Sequence, residues 1–526
     1  MELRKGVKKG LGSLTSVPLV IGIIVVLNLL ALAFFVRFDL TDSKLYSLSD
    51  ASKRIAQSLD DPIVVKLYFS EDLPAPYNQN ARYLKDQLYE YRAFSGGKLR
   101  FEFIDPIKQE REEEAQALRI PPIQVNAYEK DKIELKKVYM GLAFLYEDKK
   151  EVIPVVQSTR NLEYEISSAI QKITSEIIPT VGILQGHGEV DVYNDMQAGH
   201  QTLSKLYQVV PVSIAPSQLI DTDVATLLII GPKDSVSAWD QYAIDQFIMR
   251  GGKLGVFYDP VEVDLQVQNA TDRQTNWPGF LAHYGIAFKP GMVVDARNSR
   301  IAVMQQQGFI RFQNIVEYPY LPQIFTFNPD NLVGKDLEAV DFPFISALDS
   351  TAAEPLGLEF QAICWSSERS GIRRPPYSMS PMQEFTPADF NEPFQILAGA
   401  IQGSFKTAFA GGPPPDSGVD VAALAPVQTQ SPPNRLVAVG DAEFGGDQQI
   451  SRNPSNAALF LNIVDWLTQE EGLITIRSRE VVSRPLDELS DGKRRGVKYA
   501  NVFGPPLLVI VFGVFRWQAR RRAKRG

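Results

Sequence analysis

The sequence predicts an α/β protein in which two membrane helices flank an extracytoplasmic region of two α/β units, the second carrying a mixed insertion. Three observations predict this class. A long apolar run lies near each terminus, residues 45–175 alternate strand and helix patterns, and residues 178–480 alternate again with strands that are apolar almost throughout. A chain of 526 residues also exceeds what one hydrophobic core accommodates, so several domains are expected.

Composition and charge narrow the class of function. With 44% hydrophobic and 22% charged residues the chain is typical of globular proteins. Its net charge of −8 argues against nucleic acid as a partner, because a phosphate-binding face needs a basic surplus. Cys364 is the only cysteine, which excludes an intrachain disulfide and every multi-cysteine metal or redox motif. Only three histidines are present, too few for most histidine-built metal sites, so neither a metal nor a cofactor is expected.

The first membrane helix is predicted at residues 17–36, which read VPLVIGIIVVLNLLALAFFV. Twenty residues rise about 30 Å as a helix, which matches the hydrocarbon core of a bilayer. The preceding arm, residues 1–16, is basic and is expected in the cytoplasm because basic flanks stay inside. A cleaved signal peptide is the alternative, since Ala31-Leu32-Ala33 resembles a cleavage site, although the apolar run exceeds the about 7–15 residues of such peptides.

The second membrane helix is predicted at residues 499–517, which read YANVFGPPLLVIVFGVFRW. Aromatic residues at its two ends are typical of interfacial anchors, and Pro505-Pro506 would kink it. The tail, residues 518–526, is basic and is expected in the cytoplasm. An amphipathic helix lying in the membrane interface is the alternative. The favoured topology places both termini in the cytoplasm, the helices in the bacterial inner membrane and the main body in the periplasm.

Small and polar residues inside these two segments predict helix contacts. Small residues let helix backbones approach closely, and a lipid-exposed amide would lack a hydrogen-bond partner. The contacts are therefore predicted at Gly22, Asn28, Gly504 and Gly513. Ordinary composition is the alternative, because glycine and proline are common in membrane helices.

Residues 45–175 predict the order β-α-β-α-β-β-α, which is that of a thioredoxin-like sheet. Its strands are predicted in IVVKLYF, KLRFEFI and the hairpin GLAFLYEDKKEVIPVV. Pro121-Pro122 falls near the place where that fold often carries a cis-proline. Because the chain contains no C-x-x-C motif, redox chemistry is excluded even with this fold.

Residues 178–480 predict a parallel sheet covered by helices on both faces. The apolar runs TVGIL, VVPVSI, TLLIIG and KLGVFYD alternate with helical patterns, and RLVAVGDAEFGGD supplies a further strand. Between the last two lies an insertion, about residues 265–430, that mixes short strands with a proline-rich stretch.

Charged residues follow the strands of this sheet. In open α/β sheets, ligands bind in the crevice outside the carboxyl ends of the strands. A ligand crevice is therefore predicted at His187, Glu189, Asp259, Asp441 and Glu443. The competing interpretation is structural, because Gly and Asp form the turns that every strand-to-helix junction needs. The motifs G-x-S-x-G, H-E-x-x-H, G-x-G-x-x-G and the phosphate-binding loop are absent, so no catalytic residue is predicted.

The same motifs carry a family resemblance over nearly the whole chain. They are, in order, FDLTDSKLYSLSDASKRI, GHGEVD, LLIIGP, GGKLGVFYDP, VGDAEF, NIVDWLTQEEGLITIRSR and NVFGPPLLVIVFGVFRWQARRR. This pattern resembles the GldG-like, gliding-motility-type auxiliary or substrate-binding-like subunits of bacterial ABC transporters. The resemblance implies an ABC-2-type permease and a cytoplasmic ABC ATPase as separate partner chains. It also implies a degenerate glutamine-amidotransferase-like, flavodoxin-like sheet without catalytic residues.

Two functions follow as hypotheses. The favoured one is a non-enzymatic, membrane-anchored auxiliary subunit whose periplasmic domains bind a partner or substrate for the permease. The alternative is a tethered periplasmic hydrolase or carbohydrate-binding protein that uses the crevice around His187. The sequence leaves a homo-oligomer open.

Overall fold

The computed structural model describes residues 47–129, 132–156, 158–159, 161–307, 310–335, 337–414, 426–468, 471–480 and 491–523. The chain divides into two compact units, residues 1–481 and residues 482–526. The protein is of the α/β class, as the sequence predicts.

The amino-terminal part of the first unit is built on a four-stranded sheet. Its elements are α1 (Asp50–Gln57), β1 (Ile63–Phe69), α2 (Tyr77–Phe94), β2 (Leu99–Ile104), α3 (Glu112–Ala117), β3 (Ile123–Glu129), β4 (Lys132–Val138), β5 (Met140–Tyr146), β6 (Lys149–Ile153) and α4 (Leu162–Thr174). The strand order is β2-β1-β5-β6, with β1 parallel to β2 and the other pairs antiparallel. Strands β3 and β4 form a separate hairpin. Ser49 caps α1, because its side chain accepts a hydrogen bond from the backbone N–H of Ser52.

The rest of the first unit is built on an eight-stranded sheet. Its elements are β7 (Thr180–Gln185), α5 (Gln197–Leu203), β8 (Gln208–Ser213), β9 (Val224–Ile230), α6 (Ala238–Met249), β10 (Lys253–Phe257), β11 (Val261–Asp264), β12 (Asn269–Asp272), α7 (Trp277–Ala282), β13 (Met292–Asp295), β14 (Asn298–Gln307), β15 (Ile310–Ile324), β16 (Thr326–Phe327), β17 (Val340–Asp341), β18 (Glu359–Trp365), β19 (Ser370–Arg373), β20 (Ile396–Gly403), β21 (Asn434–Val439), α8 (Asp447–Ile450), α9 (Pro454–Thr468) and α10 (Glu471–Glu480). The strand order is β16-β18-β20-β21-β10-β9-β7-β8.

The eight-stranded sheet is mixed, which corrects the prediction of a parallel sheet. Strands β8, β7, β9, β10 and β21 are parallel, whereas β20, β18 and β16 continue the sheet in antiparallel order. These three antiparallel strands come from the region predicted as an insertion, about residues 265–430. That region therefore extends the main sheet and does not only interrupt it.

Both faces of this sheet are buried, which explains why its strands are apolar almost throughout. In β9, Leu228 and Ile230 belong to the core that packs beneath α9, while Leu227 and Ile229 belong to the core beneath α6. Because successive side chains of a strand point to opposite faces, a strand covered on both sides needs apolar residues at every position.

Helix α10 joins the two sheets of the first unit. A small buried cluster unites Ala51 of α1 and Tyr164 of α4 with Leu473 and Ile476 of α10. Beside it, Arg477 donates hydrogen bonds to the hydroxyl of Tyr164 at 2.6 Å, to Asn462 Oδ1 at 2.6 Å and to Asp465 Oδ2 at 2.7 Å. Asp465 Oδ1 also accepts a bond of 2.6 Å from the Tyr207 hydroxyl. Arg477 of α10 thus ties α4, beside the first sheet, to α9, beside the second, through a hydrogen bond to Tyr164 and a buried ion pair with Asp465.

The second unit contains the helix α11 (Asp491–Ala523), which includes the second predicted membrane segment. None of the described helices is both long and apolar enough to cross a membrane. In α11 the apolar residues occupy the middle, between a polar start, DGKRRGVKY, and a basic end, RWQARRRA. The prediction of two flanking membrane helices is therefore corrected, and with it the predicted inner-membrane localisation with both termini cytoplasmic.

Two of the four predicted helix-contact residues, Gly504 and Gly513, lie in the described part of the chain. A Cβ atom placed at Gly504 or at Gly513 would meet no atom within 4 Å apart from the backbone of its own helix. The first predicted segment, residues 17–36 with Gly22 and Asn28, lies outside the described residues.

Candidate binding crevice at the strand ends

His187 lies in a tight turn directly after β7. Gly186 and Gly188, on either side of it, have φ values of 126° and 78°, a region that favours glycine. The His187 carbonyl accepts hydrogen bonds from the backbone N–H groups of Lys233 at 2.8 Å and Asp234 at 2.9 Å. These bonds fix the turn against the loop that follows β9, so His187 is held by two strand ends of the sheet.

The imidazole of His187 is enclosed by two carboxylates. Its Nδ1 lies 2.9 Å from Glu189 Oε1, and its Nε2 lies 3.0 Å from Asp240 Oδ2 in the first turn of α6. Glu189 Oε2 also accepts a bond of 2.6 Å from the His187 backbone N–H. The imidazole lies perpendicular to the ring of the fully buried Trp277, with ring centroids 5.7 Å apart. Both ring nitrogens are therefore occupied by the protein's own groups.

This enclosure makes His187 a permanent cation at neutral pH. Burial lowers the pKa of His187, but the hydrogen bonds and charges of Asp240 and Glu189 outweigh it and raise the pKa to about 9. An imidazolium donates from both nitrogens and cannot accept a proton. His187 is therefore unsuited to act as a general base near pH 7.

The other three predicted residues form a second group. Asp259 follows β10, and Asp441 follows the neighbouring strand β21. Burial raises the pKa of Asp259 to about 7, although the charge of Arg273 lowers it. Burial, together with the charges of Asp259 and Glu443, raises the pKa of Asp441 well above its ordinary value. Protons therefore bind this group far more tightly than they bind exposed carboxylates.

Two buried oxygens of this group lack hydrogen-bond partners among the described residues, Asp441 Oδ2 and Asp259 Oδ1. Arg273 Nη2 lies 3.5 Å from Asp259 Oδ1, which is close enough for an electrostatic pair. Asp441 Oδ1 accepts a bond of 2.9 Å from the Glu443 backbone N–H, and the Glu443 side chain is exposed. A neutral carboxyl pays a smaller cost than a carboxylate for such burial, which agrees with the raised pKa values.

The five predicted residues thus form two groups and not one. Among the described residues, no hydrogen bond or ion pair joins His187 or Glu189 to the group at Asp259 and Asp441. Nor does any described group of three or more His, Cys, Asp or Glu residues have the placement to hold a metal ion. Cys364 is fully buried, and burial raises the pKa of its thiol to about 12, so it cannot supply a nucleophile.

Sequence reasoning missed the partners that define the two groups, namely Asp240, Trp277 and Arg273. Asp240 lies 53 positions from His187. Its local pattern, Ser-Ala-Trp-Asp, signals only a capped helix start, and Ser237 does cap α6. No local signal in the sequence pairs this residue with the histidine.

Comparison with known proteins identifies the family. A family model described as an ABC-type uncharacterized transport system matches residues 178–468, which is more than half of the chain. The chain belongs to this family. The matched range contains the eight-stranded sheet and both groups of predicted site residues. Membership in this ABC transport family supports an auxiliary, transport-associated role and an association with an ABC transporter. The family match does not confirm the narrower resemblance to GldG-like subunits.

Further comparisons found similarity to a domain, to a protein from another organism and to two solved structures. Residues 42–145 match a domain of unknown function. A protein from Borreliella burgdorferi, described as uncharacterized, is 24% identical over 511 residues, which are 93% of this chain and 94% of the relative. Among solved structures, the mmIFT52 N-terminal domain aligns with 55% of this chain and 97% of that domain at 16% identity and a TM-score of 0.33. A ThuA-like protein from Parabacteroides merdae aligns with 60% and 94% at 10% identity and a TM-score of 0.23.

Proposed function

We propose that this protein is a non-enzymatic auxiliary subunit of an ABC transporter that works with an ABC-2-type permease and an ABC ATPase on separate chains. The observation that carries the proposal is the family match over residues 178–468. The sequence contains no phosphate-binding loop, so the energy for transport must come from another chain. The GldG-like resemblance is the reason for choosing the ABC-2 type among permeases.

The two sheets of the first unit would act together as one binding body. We propose a thioredoxin-like unit at residues 45–175 and an amidotransferase-like unit at residues 178–480. The strand order β2-β1-β5-β6 supports the first of these. The buried hydrogen bond from Arg477 to the Tyr164 hydroxyl supports a fixed arrangement of the two. A rigid body presents the same surface to a partner in every turnover, which lowers the entropic cost of binding.

The chemistry at the strand ends supports a role without catalysis. A hydrolase needs a nucleophile and a base that can accept its proton. His187 is already protonated near pH 7 and is bonded to two carboxylates, while Cys364 is buried with a pKa of about 12. Neither residue therefore supports a hydrolase that uses His187 as its base or Cys364 as its nucleophile. Any ligand at the crevice would have to bind to the group at Asp259 and Asp441, where two buried oxygens lack partners.

Nucleotide and substrate hydrolysis assays test this proposal. The purified chain alone should release no phosphate from ATP and should not hydrolyse glycoside or ester substrates above the buffer rate. Addition of the chain to its purified permease and ATPase should change their rate of ATP hydrolysis. Hydrolysis by the chain alone that is lost in His187→Gln would overturn the proposal and favour the enzyme. Full hydrolysis retained in that variant would point to a contaminant, and the assay would be repeated after further purification.

A further inference from the structure

The four-stranded sheet has an open edge at strand β2. In the order β2-β1-β5-β6, β2 pairs with β1 alone. The backbone N–H of Ile63 in β1 donates to the carbonyl of Lys98, just before β2, at 3.0 Å. Because the backbone groups of successive residues in a strand point alternately to its two sides, this bond fixes their direction throughout β2. Leu99, Phe101 and Phe103 therefore direct their backbone N–H and C=O groups to the open edge.

Exposed aromatic rings lie beside these outward backbone groups. Tyr89 of α2 and Phe103 are 50% and 36% exposed. The ring centroid of Phe101 is 5.0 Å from that of Tyr89 and 6.1 Å from that of Phe103. Of the outward backbone groups, only the N–H of Leu99 has a partner among the described residues, the Ser95 hydroxyl at 2.9 Å. A further strand at this edge would thus gain backbone hydrogen bonds and cover apolar surface.

Two opposite charges flank Phe101 on the other face of β2. Arg100 and Glu102 are exposed, and both point away from the face of the Phe101 ring, because successive side chains of a strand alternate. Glu102 Oε1 lies 3.6 Å from Nη1 of Arg111, an exposed contact of a kind that contributes little. Charges on edge strands normally prevent indiscriminate pairing. Because these two differ in sign, they favour a strand that offers an acid opposite Arg100 and a base opposite Glu102.

Strand β2 of a second copy has this arrangement of charges. Two-fold symmetry makes the two copies of β2 antiparallel, and their open edges require that outward-facing residues pair with outward-facing residues. With the axis beside Phe101, Arg100 of each copy lies opposite Glu102 of the other. The favourable pair is formed twice, because a two-fold interface is self-complementary. The two Phe101 residues then exchange backbone hydrogen bonds.

The neighbouring registers that the open edge allows lack this match. An axis beside Leu99 would place Arg100 opposite Lys98, which carries the same charge. An axis beside Phe103 would place Glu102 opposite an apolar residue. The charges of β2 therefore favour a copy of β2 as the partner and select one register of pairing.

We propose that the protein forms a two-fold symmetric dimer in which the β2 strands of two copies pair antiparallel about Phe101, joining two four-stranded sheets into one of eight strands. Arg100 and Glu102 occupy positions without backbone hydrogen bonds between the copies, where opposing side chains lie closest. A contact built on one edge strand is small, so the dimer should be in concentration-dependent equilibrium with the monomer. This inference does not depend on the transport role.

Charge reversal in the full chain tests the dimer by sedimentation velocity. Arg100→Glu and Glu102→Arg each place like charges opposite one another twice and should weaken the dimer at least about tenfold. The double reversal Arg100→Glu/Glu102→Arg restores opposite charges and should restore the dimer, as should an equimolar mixture of the two single variants. Arg300→Glu is the matched control, because this exposed strand arginine beside Glu317 lies outside β2 and its reversal should not alter dimerisation.

Disulfide formation tests the register independently. Directly opposite residues at such positions have Cα atoms about 4.5 Å apart, which a disulfide can bridge. An oxidised mixture of Arg100→Cys and Glu102→Cys should therefore form a covalent dimer. Either variant alone should not, because its two thiols would lie two residues apart along the strands. The buried Cys364 should leave the parent chain without a cross-link.

Three results would overturn the proposal. The first is a parent chain that sediments as a monomer at every concentration. The second is a dimer that survives both single charge reversals, because another surface would then join the copies. The third is a dimer that the single reversals abolish but that neither the double reversal nor the mixture restores, because the loss would then not come from the opposed charges. Circular dichroism of each variant checks that it is folded.

Discussion

The ion triad of Glu189, His187 and Asp240 should make the stability of the protein depend on pH in a defined direction. The perturbation is His187→Gln. A glutamine amide carries no charge, so it cannot neutralise the two carboxylates that enclose the imidazole at 2.9 and 3.0 Å. The side chain is buried, and solvent screens the two ion pairs only weakly. The variant therefore loses the stabilisation that the protonated histidine provides.

The pKa shift sets the magnitude. The folded state raises the pKa of His187 from 6.5 to about 9. A raised pKa contributes stability that is fully present below the unfolded value and is lost as the pH rises through the folded value. At 1.36 kcal/mol per pKa unit the full contribution is about 3 kcal/mol. By linkage about 2.5 kcal/mol of it remains at pH 7 and almost none at pH 10.

Urea unfolding of the parent and of His187→Gln between pH 6 and pH 10 measures this contribution. Fluorescence is a suitable probe, because Trp277 contacts the imidazole directly. The difference in the free energy of unfolding should shrink by about 2.5 kcal/mol from pH 7 to pH 10. Taking the difference removes the titration of lysines and tyrosines, which both proteins share. A difference that stays constant over this range would refute the assignment of His187 as a buried cation.

Three further predictions concern other buried groups. Arg477→Met should destabilise the protein by about 3–5 kcal/mol in urea unfolding, because Asp465 would remain buried without its cation, and adding Asp465→Leu should recover part of the loss. Asp441→Asn should raise the free energy of unfolding at pH 8 but not at pH 4. The reason is that burial raises the folded pKa of Asp441 and makes its ionisation destabilising as the pH rises, so an equal effect at both pH values would contradict this. Cys364 should react with maleimide only after denaturation, and rapid labelling of the native protein would disprove its burial.

The sequence predicts local elements well where packing and local pattern agree. The helical pattern between the apolar runs TLLIIG and KLGVFYD forms α6 of the structure, with Ser237 as its cap. The apolar runs of the second region form strands because both faces of the sheet are buried. The positions of Asp259 and Asp441 at neighbouring strand ends were likewise predictable, since the carboxyl ends of parallel strands meet at one edge.

Contacts between residues that lie far apart in the sequence could not be predicted from it. Nothing in the residues around His187 indicates that Asp240, at the start of a helix 53 positions later, supplies its second partner. The same holds for β18 and β20, which pair antiparallel beside β21, because the apolar run ILAGAI of β20 gives no direction. The membrane prediction was wrong for a different reason. The carboxyl-terminal part of that prediction rested on a short apolar run within residues 499–517, whereas α11 continues into polar and basic residues at both ends. The other predicted segment, residues 17–36, lies outside the described residues.

Quantitative recovery of partner chains tests the central claim of an ABC-transport auxiliary subunit most directly. The full chain, tagged and covalently cross-linked in its own cells before extraction, should bring down one permease and one ABC ATPase in fixed ratio to itself. His187→Gln should recover both within a few-fold of the parent, because the proposed role needs no chemistry at that residue. Recovery of neither chain by a folded parent protein, or recovery of a permease without any ATPase, would contradict the account.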